Sequence, residues 1–438
     1  MDFLATPRRR RVLFASLYFA EGAPIGFIWW CLPALLRTSG VPVGEIASLT
    51  ALLVLPWTFK FLWAPMVDVL RGSRWALRHW IITAQVLMGV TLAPLLFLEL
   101  DSDFRWIVPL LLFHACAAAT QDVAIDALAI ASVSSAERGR LNGWMQAGML
   151  LGRALLGGGA LLLVSAWGLQ AVVLIMLAIL SASLVLIAGS RETVTADAGD
   201  TSRAQSVVES LLRAASQRRT WLALLLAGTA GAAFEGVGSV AQSFLIDRGM
   251  TSEQVGWVYL MPVVGCMIAG SLAGGRLADR IGRLRAVAGA QMLLVGAVAA
   301  LAVLVGLRST APRADQIPEL VLFLTVYLGA GLLTAAMFAL LMDLTDPRIG
   351  ATQFSAYMGA TNGCEAWAGF ASGRLVELER SAVPGLLPAG FAGYPLAFLA
   401  MAGASLLSML LLPALRKQQV SRIREIGEET PGSEVDSA

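Results

Sequence analysis

The chain is a succession of apolar runs about twenty residues long, separated by short polar connections. That pattern leaves few folds open. A helix needs ~20 apolar residues to cross a bilayer. Inside the hydrocarbon every backbone N–H and C=O must find its partner within the segment or a closed sheet, and runs this long favour helices. Twelve runs are read, at about 12–36, 46–68, 78–98, 105–133, 141–164, 168–189, 221–246, 254–275, 286–307, 318–343, 351–375 and 392–415. Composition agrees: 57% of the 438 residues are hydrophobic and 14% charged, where a soluble domain carries ~25% charged residues. The expectation is an all-α integral membrane protein. A soluble enzyme, a disordered chain and a disulfide scaffold are excluded.

The first run follows Arg8-Arg9-Arg10-Arg11, which has the form of a signal-peptide n-region. No small-residue cleavage site follows at a suitable distance, so the run is read as a retained first span. Lys and Arg concentrate on the cytoplasmic side of membrane proteins. With the N-terminus in the cytoplasm, about 23 of the 32 basic residues fall inside and about 7 outside. Lys60 and Arg153 fall within spans. Both termini are therefore expected inside, with an even number of spans. The organisation expected is an N-terminal six-helix half over 1–189, a cytoplasmic linker over 190–220, a C-terminal half over 221–415 and a polar cytoplasmic tail over 416–438.

The net charge of +2 gives no field that calls for nucleic acid. Cys31, Cys116, Cys266 and Cys364 are scattered, and none forms a CxxC. Only His79 and His114 are present, so no metal site and no cofactor are expected. An intramembrane enzyme would need a nucleophile with its base, or a metal cluster. No GxxxxGK[ST] is present to bind ATP. The partners expected are a small solute, protons and the lipid bilayer, and the chain is expected to be a monomer.

The two halves echo each other. Phe19-Ala20-Glu21-Gly22-Ala23 in the first span matches Ala233-Phe234-Glu235-Gly236-Val237 in the seventh. A short outer turn follows each, around Gly40 and Gly249, and the next span ends in Asp68 or Asp279. Duplicated six-helix halves are the plan of many secondary transporters.

The connection after the eighth run reads Gly274-Gly275-Arg276-Leu277-Ala278-Asp279-Arg280-Ile281-Gly282-Arg283-Leu284-Arg285. It resembles the signature loop of the major facilitator superfamily. The first-half counterpart, Ala64-Pro65-Met66-Val67-Asp68, keeps the Asp and lacks the glycines. Asp68, Asp279, Arg280 and Arg283 are the expected gating residues, able to cap a helix start and to pair across a cytoplasmic gate. Leu55 to Asp68 (LPWTFKFLWAPMVD), Ala119 to Ala127 (ATQDVAIDA), Gly148 to Arg153, Gly157 to Ala160 and Ala351-Thr352-Gln353 are similar to the AmpG-type branch of that superfamily. The branch includes muropeptide permeases, acetyl-CoA transporters and siderophore importers. The resemblance implies import by proton symport across a bacterial inner membrane through twelve helices in two pseudo-symmetric halves. Leu128 and Ala129 depart from the muropeptide permease pattern, and Glu137 to Gly143 followed by Gln146 is similar to the siderophore-import members. Muropeptide, siderophore and acetyl-CoA all remain open.

Charges inside the spans mark the candidate site. A charged side chain at mid-bilayer costs at least ~2.5–3.5 kcal/mol, so it faces protein or water and marks a pathway. Asp122 and Asp126 are four apart and share one helix face. Close carboxylates disfavour double ionisation. With Glu21 and Glu235 they are the proton-coupling candidates. The alternative is that one Asp pairs permanently with Arg153 or Lys60 and only holds the fold. Arg153 is the candidate for an anionic group, because guanidinium stays charged and forks onto carboxylate. Glu365 lies at the matching depth of the eleventh run. Lys60 is a candidate for substrate or ion-pair contact, and Trp144 and Tyr357 could stack on a ring. His114 could join a proton relay, though a satisfied core histidine is the plainer reading. Trp29, Trp30 and most other tryptophans are read as interfacial anchors.

Overall fold

The computed structural model describes residues 2–69, 75–100, 102–133, 135–192, 209, 212, 215–308, 316–345, 350–378 and 390–416. Most of the expected linker, residues 417–438 of the expected tail and the side chain of Asp68 lie outside the described residues.

Among the described residues every element is helical. The first span is α1 (Pro7–Gly26), a π-helical segment Phe27–Cys31, and α2 (Leu32–Thr38). Next come α3 (Val43–Val69), α4 (Leu77–Leu92), α5 (Phe104–Ser132), α6 (Ser135–Leu156) and α7 (Gly158–Ala188). The second half opens with α8 (Arg218–Ala227) and α9 (Ala232–Asp247), then α10 (Ser252–Val258), a π segment Tyr259–Val263, and α11 (Val264–Ile281). It closes with α12 (Arg283–Leu307), α13 (Ile317–Leu344), α14 (Gly350–Val376) and α15 (Tyr394–Ser408).

By length and composition alone, ten stretches are able to cross a membrane among the described residues. One of them, Gly143–Ala188, holds two passes, because Gly168 at φ 83° and ψ 168° breaks the helix. The returning part runs antiparallel to α4: Arg78 Nη1 donates to the Ser190 carbonyl, and Gln85 donates to Ser183 at 2.9 Å. The stretch Gly350–Val376 escapes a hydropathy count because it carries Thr361, Asn362 and Glu365. It is nevertheless 27 residues long, about 40 Å of helix. The helices are thus consistent with twelve passes.

Local chemistry explains the element ends. Thr6 caps α1 by accepting from Arg9 N, and Pro7 occupies the first helical position, where its missing N–H costs nothing. The four arginines that follow oppose the helix dipole, so helix stability does not account for them. Thr251 and Gln254 close a capping box on α10. The outer turns of the two halves end alike. Val41 N bonds to Leu36 O at 3.0 Å, and Met250 N bonds to Leu245 O at 3.1 Å. Each is the long bond of a Schellman ending, with Gly40 at φ 87° and Gly249 at φ 91° in the left-handed position that glycine fills without strain.

The halves pack through α3 against α14 and through α7 against α10. At the second crossing a Cβ on Gly158 would stand 2.5 Å from Leu260 N and 2.6 Å from Gly256 O. The glycine run thus brings backbones together, as small residues do in membranes. On the face of the Gly40 and Gly249 turns, Arg37 bonds Asp247 through 2.7 and 2.9 Å contacts, and Gly44 N donates to Glu377 at 2.7 Å.

Candidate functional site

Two groups of charges lie at the centre of the bundle. The first belongs to the N-terminal half. Lys60 on α3 forms an ion pair with Asp122 on α5. Tyr18 on α1 donates to Asp126 at 2.5 Å and stands 3.4 Å from Asp122. Of the two partners left open for the aspartates in the sequence, Lys60 is the one that closes on Asp122. Glu21, one turn after Tyr18, is 1% exposed, and its Oε2 has no hydrogen-bond partner among the described residues.

The second group straddles the halves. Close passage of α6 along α1 sets Arg153 in place: a Cβ on Gly152 would lie 2.6 Å from Phe19 O, and one on Gly26 would lie 2.5 Å from Arg153 O. Two helices in backbone contact leave Arg153 at their seam, facing a cavity of about 340 Å³ between the halves. Glu235 from α9 and Glu365 from α14 line the same cavity from the other side. Glu365, Glu21, Glu235 and Asp122 all lie within electrostatic reach of Arg153. The Nε of Arg153 is buried with no hydrogen-bond partner among the described residues.

A wide helical turn shapes the cavity wall. Pro24 removes a backbone N–H and crowds the carbonyl four residues back, and the π segment Phe27–Cys31 begins three residues later. Such bulges gather at functional sites. This one turns Trp29 and Trp30 toward the interior, so both line the cavity with Trp57, and Trp29 meets Trp57 edge to face at 5.7 Å. The reading of Trp29 and Trp30 as interfacial anchors is corrected by this local change of register. A second π segment, Tyr259–Val263, contains Pro262 and faces the first: Trp30 and Tyr259 lie 5.3 Å apart. Tyr259 shares a 2.8 Å hydroxyl bond with Tyr327, which lines the cavity. Neither tyrosine is singled out by sequence pattern, since a buried Tyr in an apolar helix carries no mark of its own.

The remaining candidates lie elsewhere. Trp144 is half exposed and is not part of the cavity wall. Tyr357 is fully buried and lies off the wall, near Thr220. His114 is buried in the core, with Nδ1 3.2 Å from the Met88 carbonyl and Nε2 without a hydrogen-bond partner among the described residues. Arg283 bonds Asp279 and Asp343, tying together α11, α12 and α13, while Arg280 is exposed. The repeat is also less regular than the matching motifs imply. Glu21 precedes Gly40 by 19 residues, and Glu235 precedes Gly249 by 14. Five residues are roughly 7 Å of helix, so the two glutamates sit at different depths, and only Glu235 reaches the cavity wall.

A helical bundle with a charged cavity at the seam of two duplicated halves is the build of a secondary transporter, and the comparisons agree. The Major Facilitator Superfamily profile matches residues 14–373 and 247–433. The chain belongs to that superfamily and is a multi-pass membrane transporter rather than an enzyme. It is 28% identical over 396 residues to the anhydromuropeptide permease of Escherichia coli (strain K12), covering 86% of this chain and 78% of that one. It is 22% identical over 377 residues to a putative transporter AmpG 4 of Rickettsia conorii, covering 83% and 89%. The AmpG-type resemblance of the sequence motifs is matched by these relatives. Among solved structures, the POT family transporter PepTSo superposes with a TM-score of 0.71 at 11% identity, over 95% of this chain and 99% of that one. That likeness speaks to fold alone.

Proposed function

We propose that the protein is a proton-coupled importer of a muropeptide-type solute across a bacterial inner membrane, working by alternating access with both termini in the cytoplasm. The bias of Lys and Arg supports this orientation. The substrate class is supported by the anhydromuropeptide permease relative. The observation that carries the reading is the placement of Arg153, Glu235 and Glu365 around one cavity between the halves. A solute held there touches both halves, so its binding biases their relative position.

The proton reading centres on Glu21 and Asp126, with Glu235 nearer the solute. Asp122 is answered by Lys60 and serves to hold that cluster. Glu21 is buried without an ion-pair partner among the described residues, and an ionised carboxylate in that setting is costly. Proton binding there would favour the arrangement in which Glu21 is shielded from water. Lys60 and Asp122 then act as a fixed frame, and Arg153 as the substrate contact.

The test is uptake into proteoliposomes under an imposed proton gradient. Labelled anhydromuropeptide and a ferric siderophore are supplied to the wild type and to Glu21→Gln. The expected result is gradient-driven uptake of anhydromuropeptide that fails in the variant. Gradient-independent uptake would remove the proton role. Uptake of the siderophore alone would replace the substrate class.

A further inference from the structure

The central charges do not balance, and the imbalance bears on what the cavity binds. Glu21, Asp122, Asp126, Glu235 and Glu365 are five carboxylates, facing the two cations Lys60 and Arg153. Lys60 is spent on Asp122, and Tyr18 answers Asp126. Arg153 alone remains for Glu21, Glu235 and Glu365. It enters no ion pair among the described residues, and neither do Glu235 and Glu365. All three line the cavity. The Trp29 indole is directed at Glu365, and an indole N–H is a donor but not a cation.

A cavity presenting one guanidinium and two carboxylates that form no ion pair among the described residues is matched by a ligand that carries both signs of charge. Buried charges are tolerated when each is paired and hydrogen-bonded. A purely anionic solute would satisfy Arg153 and leave Glu235 and Glu365 opposed. The wall next to Glu365 also offers ring faces, with Trp29 and Trp57 in edge-to-face contact and Phe234 beside Glu235. Ring faces attract cations.

We infer that the cavity takes a zwitterionic solute, its protonated amine held by Glu235 and Glu365 against Trp29 and its carboxylate held by Arg153. This inference rests on the reading of the cavity as the transport site, and it narrows the solute to one with a free amine. The amine supplies the positive charge that the N-terminal cluster withholds. The two groups bind opposite halves, because Arg153 belongs to the first and both glutamates belong to the second.

Quenching of tryptophan fluorescence in the full-length protein in lipid nanodiscs reads binding directly, since Trp29, Trp30 and Trp57 line the cavity. The probes are an anhydromuropeptide with one free amine, its N-acetylated form, its carboxyl-amidated form, and trialanine. Losing a charge-assisted hydrogen bond lowers affinity by about 10–100-fold, so acetylation and amidation are each expected to weaken wild-type binding by that factor. In the double variant Glu235→Gln with Glu365→Gln the acetylated and free-amine forms should bind within about threefold of each other, since no carboxylate then answers the amine. Equal binding of free and acetylated forms to the wild type would overturn the inference and leave the muropeptide reading standing. Binding of trialanine but not of the anhydromuropeptide would keep the charge assignment and remove the muropeptide reading. Binding of neither would overturn both.

Discussion

Arg37 and Asp247 meet through two parallel N–H···O bonds of 2.7 and 2.9 Å, and each comes from the last turn of the first span in its half. Tyr394 adds a third bond, donating to Asp247 at 2.7 Å. Together with the Gly44–Glu377 contact this draws the halves together on one face, some distance from the central cavity. On the alternating-access cycle proposed above, these bonds would break once per cycle. A partly exposed pair suits that task, since it is weak enough to open.

Removal of Arg37 should loosen this face. An exposed ion pair contributes ~0.2–1 kcal/mol, so Arg37→Ala should shift the closed-to-open population by no more than about fivefold. Spin labels on Ser39 and Thr251 would report the separation. The charge swap Arg37→Asp with Asp247→Arg should return the distance distribution toward wild type. A swap no better than either single change would dismiss the pair as a latch.

The Lys60–Asp122 pair should behave in the opposite way, because both partners are largely buried. Lys60→Met leaves a carboxylate unanswered and should cost about 3–5 kcal/mol of stability. Lys60→Met with Asp122→Asn should recover most of it, since no charge is then stranded. Thermal melting of the purified protein reads both. If the double variant melts no higher than the single one, the pair is not the frame described above.

Much of this is legible in the chain itself. The apolar runs give the spans, and Glu21, Lys60, Asp122, Asp126, Arg153, Glu235 and Glu365 declare themselves because lipid tolerates no charge. Which of them touch was not legible. Lys60 and Asp122 are 62 residues apart, and their meeting depends on how α3 and α5 are rotated about their axes. The cavity wall departs from the sequence pattern where the helix changes register. The π segment after Pro24 turns Trp29 and Trp30 inward, and a regular helical repeat has no means to foresee that. Trp144 and Tyr357 stand out by position along the span alone, while Tyr327 carries no charge to mark it.

Glu21 is the carboxylate on which the proton reading can be separated from a structural one. Glu21→Gln keeps the shape and removes the titration. Uptake driven by a proton gradient should fall to the level of a passive leak, while exchange of labelled for unlabelled solute at equal pH continues. Loss of both activities together would mean that Glu21 holds the fold or the solute and not the proton.

Adding carbon at the α7–α10 crossing should stop the cycle. A Cβ on Gly158 would lie 2.5 Å from Leu260 N and 2.6 Å from Gly256 O, closer than such atoms approach, so Gly158→Val must push the halves apart. Overpacking of this kind costs ~1–3 kcal/mol. The variant should insert and fold in the membrane yet transport at a small fraction of the wild-type rate. Normal transport by Gly158→Val would show that the crossing is free to widen.

That crossing has a mechanical meaning. Where side chains interlock, one helix turns against another only by climbing from notch to notch, like a gear. Gly158 presents bare backbone to Gly256 and Leu260, with the side chains of Leu161 and Leu162 seated at its flank, so the contact has few teeth. It resists compression but hardly resists rolling. On the proposed cycle the junction would serve as a bearing between the halves, and the force that decides which way they tilt would be left to the charges on either side of it.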